Sequence, residues 1–119
     1  MAQTAAHIHG AEGERAAVDW MRQHGFLIAE LNWRFGSYEI DIIAERRGII
    51  HIVEVKTRSA SSFISPEEAA DSRKARAIRR AARIYLSQRR PLYDVQFDLA
   101  AVDAAPDGTY TVRYIENAL

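Results

Sequence analysis

Two neighbouring apolar runs, YEIDIIAE over 38–45 and IIHIVEVKT over 49–57, constrain this chain more than any other part of it. Both are rich in β-branched residues and of strand length, and only Arg46, Arg47 and Gly48 separate them. If Arg47-Gly48 is a two-residue turn, with glycine supplying the positive φ, Arg46 pairs with Ile49. Counting outward, Ile43 then faces Ile52, Asp41 faces Glu54 and Glu39 faces Lys56. Side-chain direction alternates along a strand, so all six fall on one face. A three-residue loop would instead turn Asp41 away from Glu54.

Directly opposed residues have Cβ atoms about 5 Å apart. Two carboxylates at that distance repel unless something positive lies between them. A hard divalent cation, Mg²⁺ or Mn²⁺, meets the need, since it takes one or two carboxylates together with waters and phosphate oxygens. Lys56, two residues beyond Glu54, projects from the same face and could orient or deprotonate a water, or stabilise charge developing on phosphorus. The competing reading is plain: a Glu-x-Lys on a strand is commonly a surface ion pair worth under ~1 kcal/mol. Against it, Glu54 and Lys56 interrupt an otherwise apolar strand, where charge is costly unless it serves a site or an edge.

The remaining elements follow from periodicity. Residues 10–24 read as a helix, with Ala17, Val18, Trp20, Met21 and His24 at helical spacing and Gly25 at the terminating position. Residues 26–34 read as a strand and 35–37 as a turn. Residues 59–65 form a polar loop. Ser65-Pro66-Glu67-Glu68 is a helix start, with serine at the cap, proline at the first position and acids in the first turn. That helix is expected over 65–88, burying Ala75, Ile78, Ala82, Tyr85 and Leu86. Strands follow over 94–102 and 109–115, across a turn at 105–108. The order is αβββαββ, an α/β fold. Glu14 shares the first helix's apolar stripe with Ala17, Val18 and Met21, so it needs a partner: the metal site, Arg15 or another arginine.

Composition closes off several functions. With no cysteine, there is neither a disulfide framework nor a thiolate zinc site. The four histidines lack zinc-ligand spacing. No stretch approaches the roughly 20 apolar residues that span a bilayer, and no signal peptide is evident, so a cytoplasmic location away from membranes is expected. A flexible start over 1–9 and a single domain over 10–119 are expected as well. The formal net charge is zero, from 16 basic and 16 acidic residues. Its distribution is uneven: residues 72–93 contain no acid, yet hold Arg73, Lys74, Arg76, Arg79, Arg80, Arg83, Arg89 and Arg90. Arg73, Arg76, Arg80 and Arg83 share a helical stripe, either a solvated outer face or a ridge tracking phosphates. Arg58 continues the Glu54–Lys56 face and Arg34 lies on the first strand, both within reach of a phosphate. Trp20 and Trp33 are read as packing residues.

Gly13-Glu14-x-x-Ala17, Asn32-x-Arg34, the run EIDIIA over 39–44 and VEVKTR over 53–58 resemble the bacterial YraN-like family. The resemblance continues through Lys74, Ala81-Ala82-x-x-Tyr85-Leu86, Val95-x-Phe97-Asp98 and Asn117-Ala118, nearly the whole chain. Members of that family are regarded as endonuclease candidates, similar in core to archaeal Holliday-junction resolvases. The resemblance implies a restriction-endonuclease-like fold, a mixed central sheet flanked by helices, with a PD-(D/E)xK site. It implies Asp41 and Glu54 as metal ligands, Lys56 as the catalytic lysine and Glu14 as the helix acid. One departure stands out: the family's usual glycine before the Glu-Ile-Asp run is Tyr38 here, which narrows the approach to the metal or stacks on a base. The expected activity is Mg²⁺- or Mn²⁺-dependent hydrolysis of DNA, at a branch or junction. Arg34, Arg58, Arg73, Lys74, Arg76 and Arg80 are the expected nucleic-acid contacts. The alternative is a non-catalytic nucleic-acid-binding module of a repair or recombination complex. A homodimer is expected only by analogy, since a junction resolvase needs two active sites.

Overall fold

A computed structural model describes residues 5–59, 72–88 and 94–119. The elements run α1 (Ala5–Gln23), β1 (Leu27–Phe35), β2 (Tyr38–Arg46), β3 (Ile49–Ser59), α2 (Ser72–Ser87), β4 (Asp94–Ala104) and β5 (Tyr110–Ile115). The order αβββαββ is the expected one. Helix α1 begins at Ala5 rather than at residue 10, so the expected boundary at 10 falls inside a helix. Ala5 and Ala6 are strong helix formers and carry it past Gly10. Its end is as expected: Gly25 at φ 85° closes the helix, with Phe26 N–H donating to Met21 O and Gly25 N–H to Arg22 O, the paired bonds of a Schellman motif. The expected start of the second helix at Ser65 and the loop before it lie outside the described residues.

The five strands form one mixed sheet in the order β1-β2-β3-β4-β5, antiparallel except for β3 and β4, which run parallel. A parallel pair needs a crossover, and α2 lies in the connection from β3 to β4. Helix α1 covers one face of the sheet, packing Ala17, Val18 and Met21 on Ile42, Ala44, Val53, Ala100 and Val102. Helix α2 covers the other, packing Ile78, Ala81, Ala82 and Tyr85 on Ile40, Ile43 and Ile52. Trp20 and Trp33 pack against these two clusters respectively, as packing residues should. Among the described residues no helix is long and apolar enough to cross a membrane.

The hairpin turn is the expected two-residue one. Arg47 at φ 55° and Gly48 at φ 76° give the double positive φ of a type I′ turn, and Arg46 pairs with Ile49. The register holds only as far as Ile42 opposite Val53. The expected pairs Asp41–Glu54 and Glu39–Lys56 are not rungs of the ladder. Continuing the pattern would give the Val55 N–H to the carbonyl of Ile40. Instead the Asp41 carboxylate takes it, Oδ2 accepting at 2.9 Å. Ile40 and Ile43, three residues apart, consequently share the α2 face. On the other side β1 kinks in step: Asn32 adopts φ 51°, and β1–β2 pairing skips from Leu31↔Ile42 to Trp33↔Ile40. Strands β2 and β3 therefore part at Asp41.

Candidate active site

Where the two strands part, a cleft of about 380 Å³ opens beneath the start of α2, lined by Ser37, Tyr38, Glu39, Asp41, Glu54, Val55, Lys74, Ala77 and Ile78. Asp41 is fixed in it by the backbone of β3, so the carboxylate is positioned by main chain rather than by a mobile side chain. Burial pushes its pKa up against the pull of the Val55 bond, and the nearby Glu54 and Glu39 push the same way. Glu54 is buried. Its Oε1 accepts from Lys74 Nζ at 3.0 Å and lies 3.7 Å from Lys56 Nζ. Its Oε2 is buried with no hydrogen-bond partner among the described residues. An orphaned carboxylate oxygen in a protein interior is costly unless something outside the chain completes it.

Lys56 is the more buried of the two ammoniums, its side chain 25% exposed against 51% for Lys74. Burial first, and then the neighbouring Lys74, pull the Lys56 pKa down. Glu14 approaches from α1, half-buried and held by Asn32 Nδ2 at 2.8 Å. Its pKa is raised by burial and then by Asp41, so its charge is felt at the site. Its partner is thus an amide rather than an arginine. The left-handed backbone of Asn32 that kinks β1 goes with a side chain directed at Glu14. Gly13 allows the approach: a Cβ there would overlap the Thr57 hydroxyl, one residue past Lys56 on β3.

The donor set fits a hard cation in part. Asp41 and Glu54 line one cleft, and Glu54 Oε2 has no hydrogen-bond partner among the described residues. Among the described residues no three His, Asp or Glu side chains converge as a ready ligand set. An ion here would rest on two protein carboxylates with Glu14 as an outer charge, which suits Mg²⁺ or Mn²⁺, both of which keep waters and phosphate oxygens in their shell.

The basic residues divide. Arg76 and Arg80 are exposed and, with Tyr38 and Ala77, line a second hollow of about 240 Å³ that shares those two residues with the cleft. Arg34 is exposed on β1 and lies 3.6 Å from Glu39. Arg58, expected at the phosphate, is engaged elsewhere: its Nε donates to Asp103 Oδ1 at 2.8 Å. The parallel register sets Asp103 opposite Arg58, a neighbour invisible without β4. The side chain of Arg73 lies outside the described residues. Lys74, expected only as a phosphate contact, is part of the cluster itself. Tyr38 lines both hollows.

Sequence reasoning missed a second polar cluster. Asp98, fully buried, accepts from His51 Nδ1 at 2.6 Å, from Gln96 Nε2 and Asn117 N–H at 2.9 Å each, and from the Tyr114 hydroxyl. Parallel pairing of β3 with β4 and antiparallel pairing of β4 with β5 assemble it, so no local pattern announces it.

A model of the uncharacterised protein family UPF0102 matches residues 13–102, a span holding Glu14, Asp41, Glu54, Lys56 and Lys74. The chain belongs to this family. A UPF0102 protein of Bacteroides thetaiotaomicron is 40% identical, over 92% of this chain and 89% of its own length. One of Bacteroides fragilis is 38% identical over 94% and 92%. One of Symbiobacterium thermophilum is 39% identical over 92% and 93%. The UPF0102 match thus reaches from the helix that carries Glu14, through the cleft, into β4.

Proposed function

We propose that the cleft is the active site of a metal-dependent nuclease hydrolysing DNA phosphodiester bonds, in keeping with the resemblance to the YraN-like endonuclease candidates. One observation carries the reading: Glu54, whose buried Oε2 has no hydrogen-bond partner among the described residues, lines one cleft with the backbone-fixed carboxylate of Asp41, and Lys56 Nζ lies 3.7 Å from its Oε1. Asp41 and Glu54 would hold Mg²⁺ or Mn²⁺, which supplies concentrated positive charge where the phosphorus becomes pentacovalent. The chain's own groups do the rest. The Val55 N–H keeps Asp41 oriented. Lys56, its proton loosened by burial and by Lys74, is suited to orient an attacking water or move its proton. Arg76 and Arg80 line the continuation of the cleft and would hold flanking phosphates, contributing affinity without base choice. Branched or junction DNA is the expected substrate form.

The test is incubation with branched, duplex and single-stranded DNA in Mn²⁺. Asp41→Ala and Glu54→Ala should each lower cleavage at least about 10²-fold while binding persists. Binding by the wild type without any cleavage would sink the enzyme reading. A non-catalytic nucleic-acid-binding module would then take its place. The two lysines on Glu54 favour that alternative, because they already neutralise much of the acid pair.

A further inference from the structure

Lys74 does something that the nuclease reading does not require. It comes from α2, on the far side of the cleft from β2 and β3, and its ammonium lies 3.0 Å from Glu54 Oε1. Asp41 also feels its charge, since Lys74 pulls the Asp41 pKa down. Lys56 lies farther from Glu54, at 3.7 Å. The four inner groups, Asp41, Glu54, Lys56 and Lys74, are two acids and two bases and balance one another, while Glu39 on the cleft wall lies 3.6 Å from Arg34.

A divalent ion upsets that balance. Two added charges next to two ammoniums leave these four groups with an excess of two, where screening is weaker than in bulk water. Lys56 sits on the same strand as Glu54, two residues on, and is the more buried, so it has little room to move. Lys74 is half exposed and reaches in from a helix, so its flexible stem can carry the ammonium out toward solvent. A phosphate entering the cleft that Lys74 itself lines would give that charge a new partner.

We propose that Lys74 is a built-in counter-cation that competes with the metal for Glu54 and, once displaced, binds a DNA phosphate, making metal and DNA binding mutually dependent. The inference rests on the reading of the cleft as a metal and phosphodiester site. Metal alone would bind weakly, because it must expel an ammonium. With DNA present the expelled ammonium gains a phosphate contact, and the ion enters more easily. Linkage then requires that metal tighten DNA binding by the same factor.

The experiment measures Mn²⁺ affinity from the electron paramagnetic resonance signal of free Mn²⁺. It uses wild type, Lys74→Gln and Lys74→Arg, each with and without a saturating phosphorothioate duplex that resists cleavage. Wild type should bind Mn²⁺ on the order of tenfold more tightly with the duplex than without it. Lys74→Gln should bind Mn²⁺ more tightly than wild type when no DNA is present, and should lose most of the gain from DNA. Lys74→Arg, which keeps the charge, should retain weak binding of metal alone and the gain on adding DNA. Circular dichroism of each variant establishes that it is folded before titration. Equal Mn²⁺ affinity for wild type and Lys74→Gln without DNA would overturn the counter-cation while leaving the metal site standing. If no variant binds Mn²⁺ under either condition, the metal site and the counter-cation fall together.

Discussion

The carboxylate of Asp41 does two things at once: it replaces a backbone carbonyl for Val55 and carries charge into a cleft already holding Glu54. Its pKa and that of Glu14 are both raised, burial being the larger cause in each case. The consequence for stability has a definite sign. A carboxyl whose folded pKa exceeds its unfolded value favours the folded state most fully below the unfolded pKa, and that contribution disappears as pH rises through the folded value. Without metal, unfolding free energy should therefore decline from the ordinary carboxylate range, near pH 4, upward through the raised pKa values. Asp41→Asn should flatten the decline, and Mn²⁺ should oppose it for the wild type only. Urea denaturation at a series of pH values, first in EDTA and then with Mn²⁺ in its place, checks both statements; equal slopes for wild type and Asp41→Asn in EDTA would refute the first, and an equal effect of Mn²⁺ on both proteins the second. Asp98 behaves differently. It is fully buried and accepts bonds from His51, Tyr114, Gln96 and the Asn117 backbone. Asp98→Ala strands those donors around a void, and chemical denaturation should register a loss of about 3–5 kcal/mol.

At the level of elements, the hairpin was legible and its departure was not. Glycine after arginine between two apolar strands specifies a two-residue turn, and the turn fixed the register from Arg46–Ile49 to Ile42–Val53. Counting further along the same register placed Asp41 opposite Glu54, which the sheet does not do. Strict alternation holds only while backbone groups pair with each other, and at Asp41 a side chain takes the Val55 N–H. The two carboxylates still meet in one cleft, so the sequence identified the partners while misreading the means. The partners of Arg58 and Asp98 were not legible for a related reason: they come from parallel pairing across α2, at separations that no local pattern encodes. Two substitutions probe the elements directly. Arg47 occupies a positive-φ position that asparagine fills more easily, so Arg47→Asn should stabilise the protein by roughly 0.5–1 kcal/mol, readable as a rise in Tm. Gly13 lets α1 approach β3 at Thr57, and Gly13→Ala should cost about 1–3 kcal/mol. Combining it with Thr57→Ala should recover much of that loss in a double-mutant cycle, because the overlap is with the Thr57 side chain. Additive losses would place the strain elsewhere.

Across the whole molecule, a net charge of zero conceals two unlike faces. Helix α1 carries Glu12, Glu14 and Asp19 beside Arg15 and Arg22, acids and bases mixed. Helix α2 carries no acid; Arg76, Arg80 and Arg83 stand exposed on it, and Arg76 and Arg80 line the hollow beside the cleft. The sheet separates the two, so opposite charges on α1 do not cancel the α2 field within a Debye length of about 8–10 Å. A polyanion approaching the cleft would meet the α2 face first. Binding of DNA should consequently weaken steeply with salt even though the protein is neutral overall, the logarithm of affinity falling by about 0.9 for each phosphate neutralised per tenfold rise in salt. Arg76→Ala and Arg80→Ala should each reduce that slope by about one and weaken binding alike for all sequences. Arg22→Ala, on the opposite face, should leave the slope unchanged. Fluorescence anisotropy at several salt concentrations, with Ca²⁺ in place of Mn²⁺, reads all three variants. If Arg22→Ala flattens the slope as much as Arg76→Ala does, DNA lies across α1 and the path along α2 is wrong. If only the α2 variants respond, the strand runs from the hollow of Arg76 and Arg80 past Tyr38 into the cleft of Asp41 and Glu54. The ring at Tyr38 would then be the point where duplex and branched substrates are told apart.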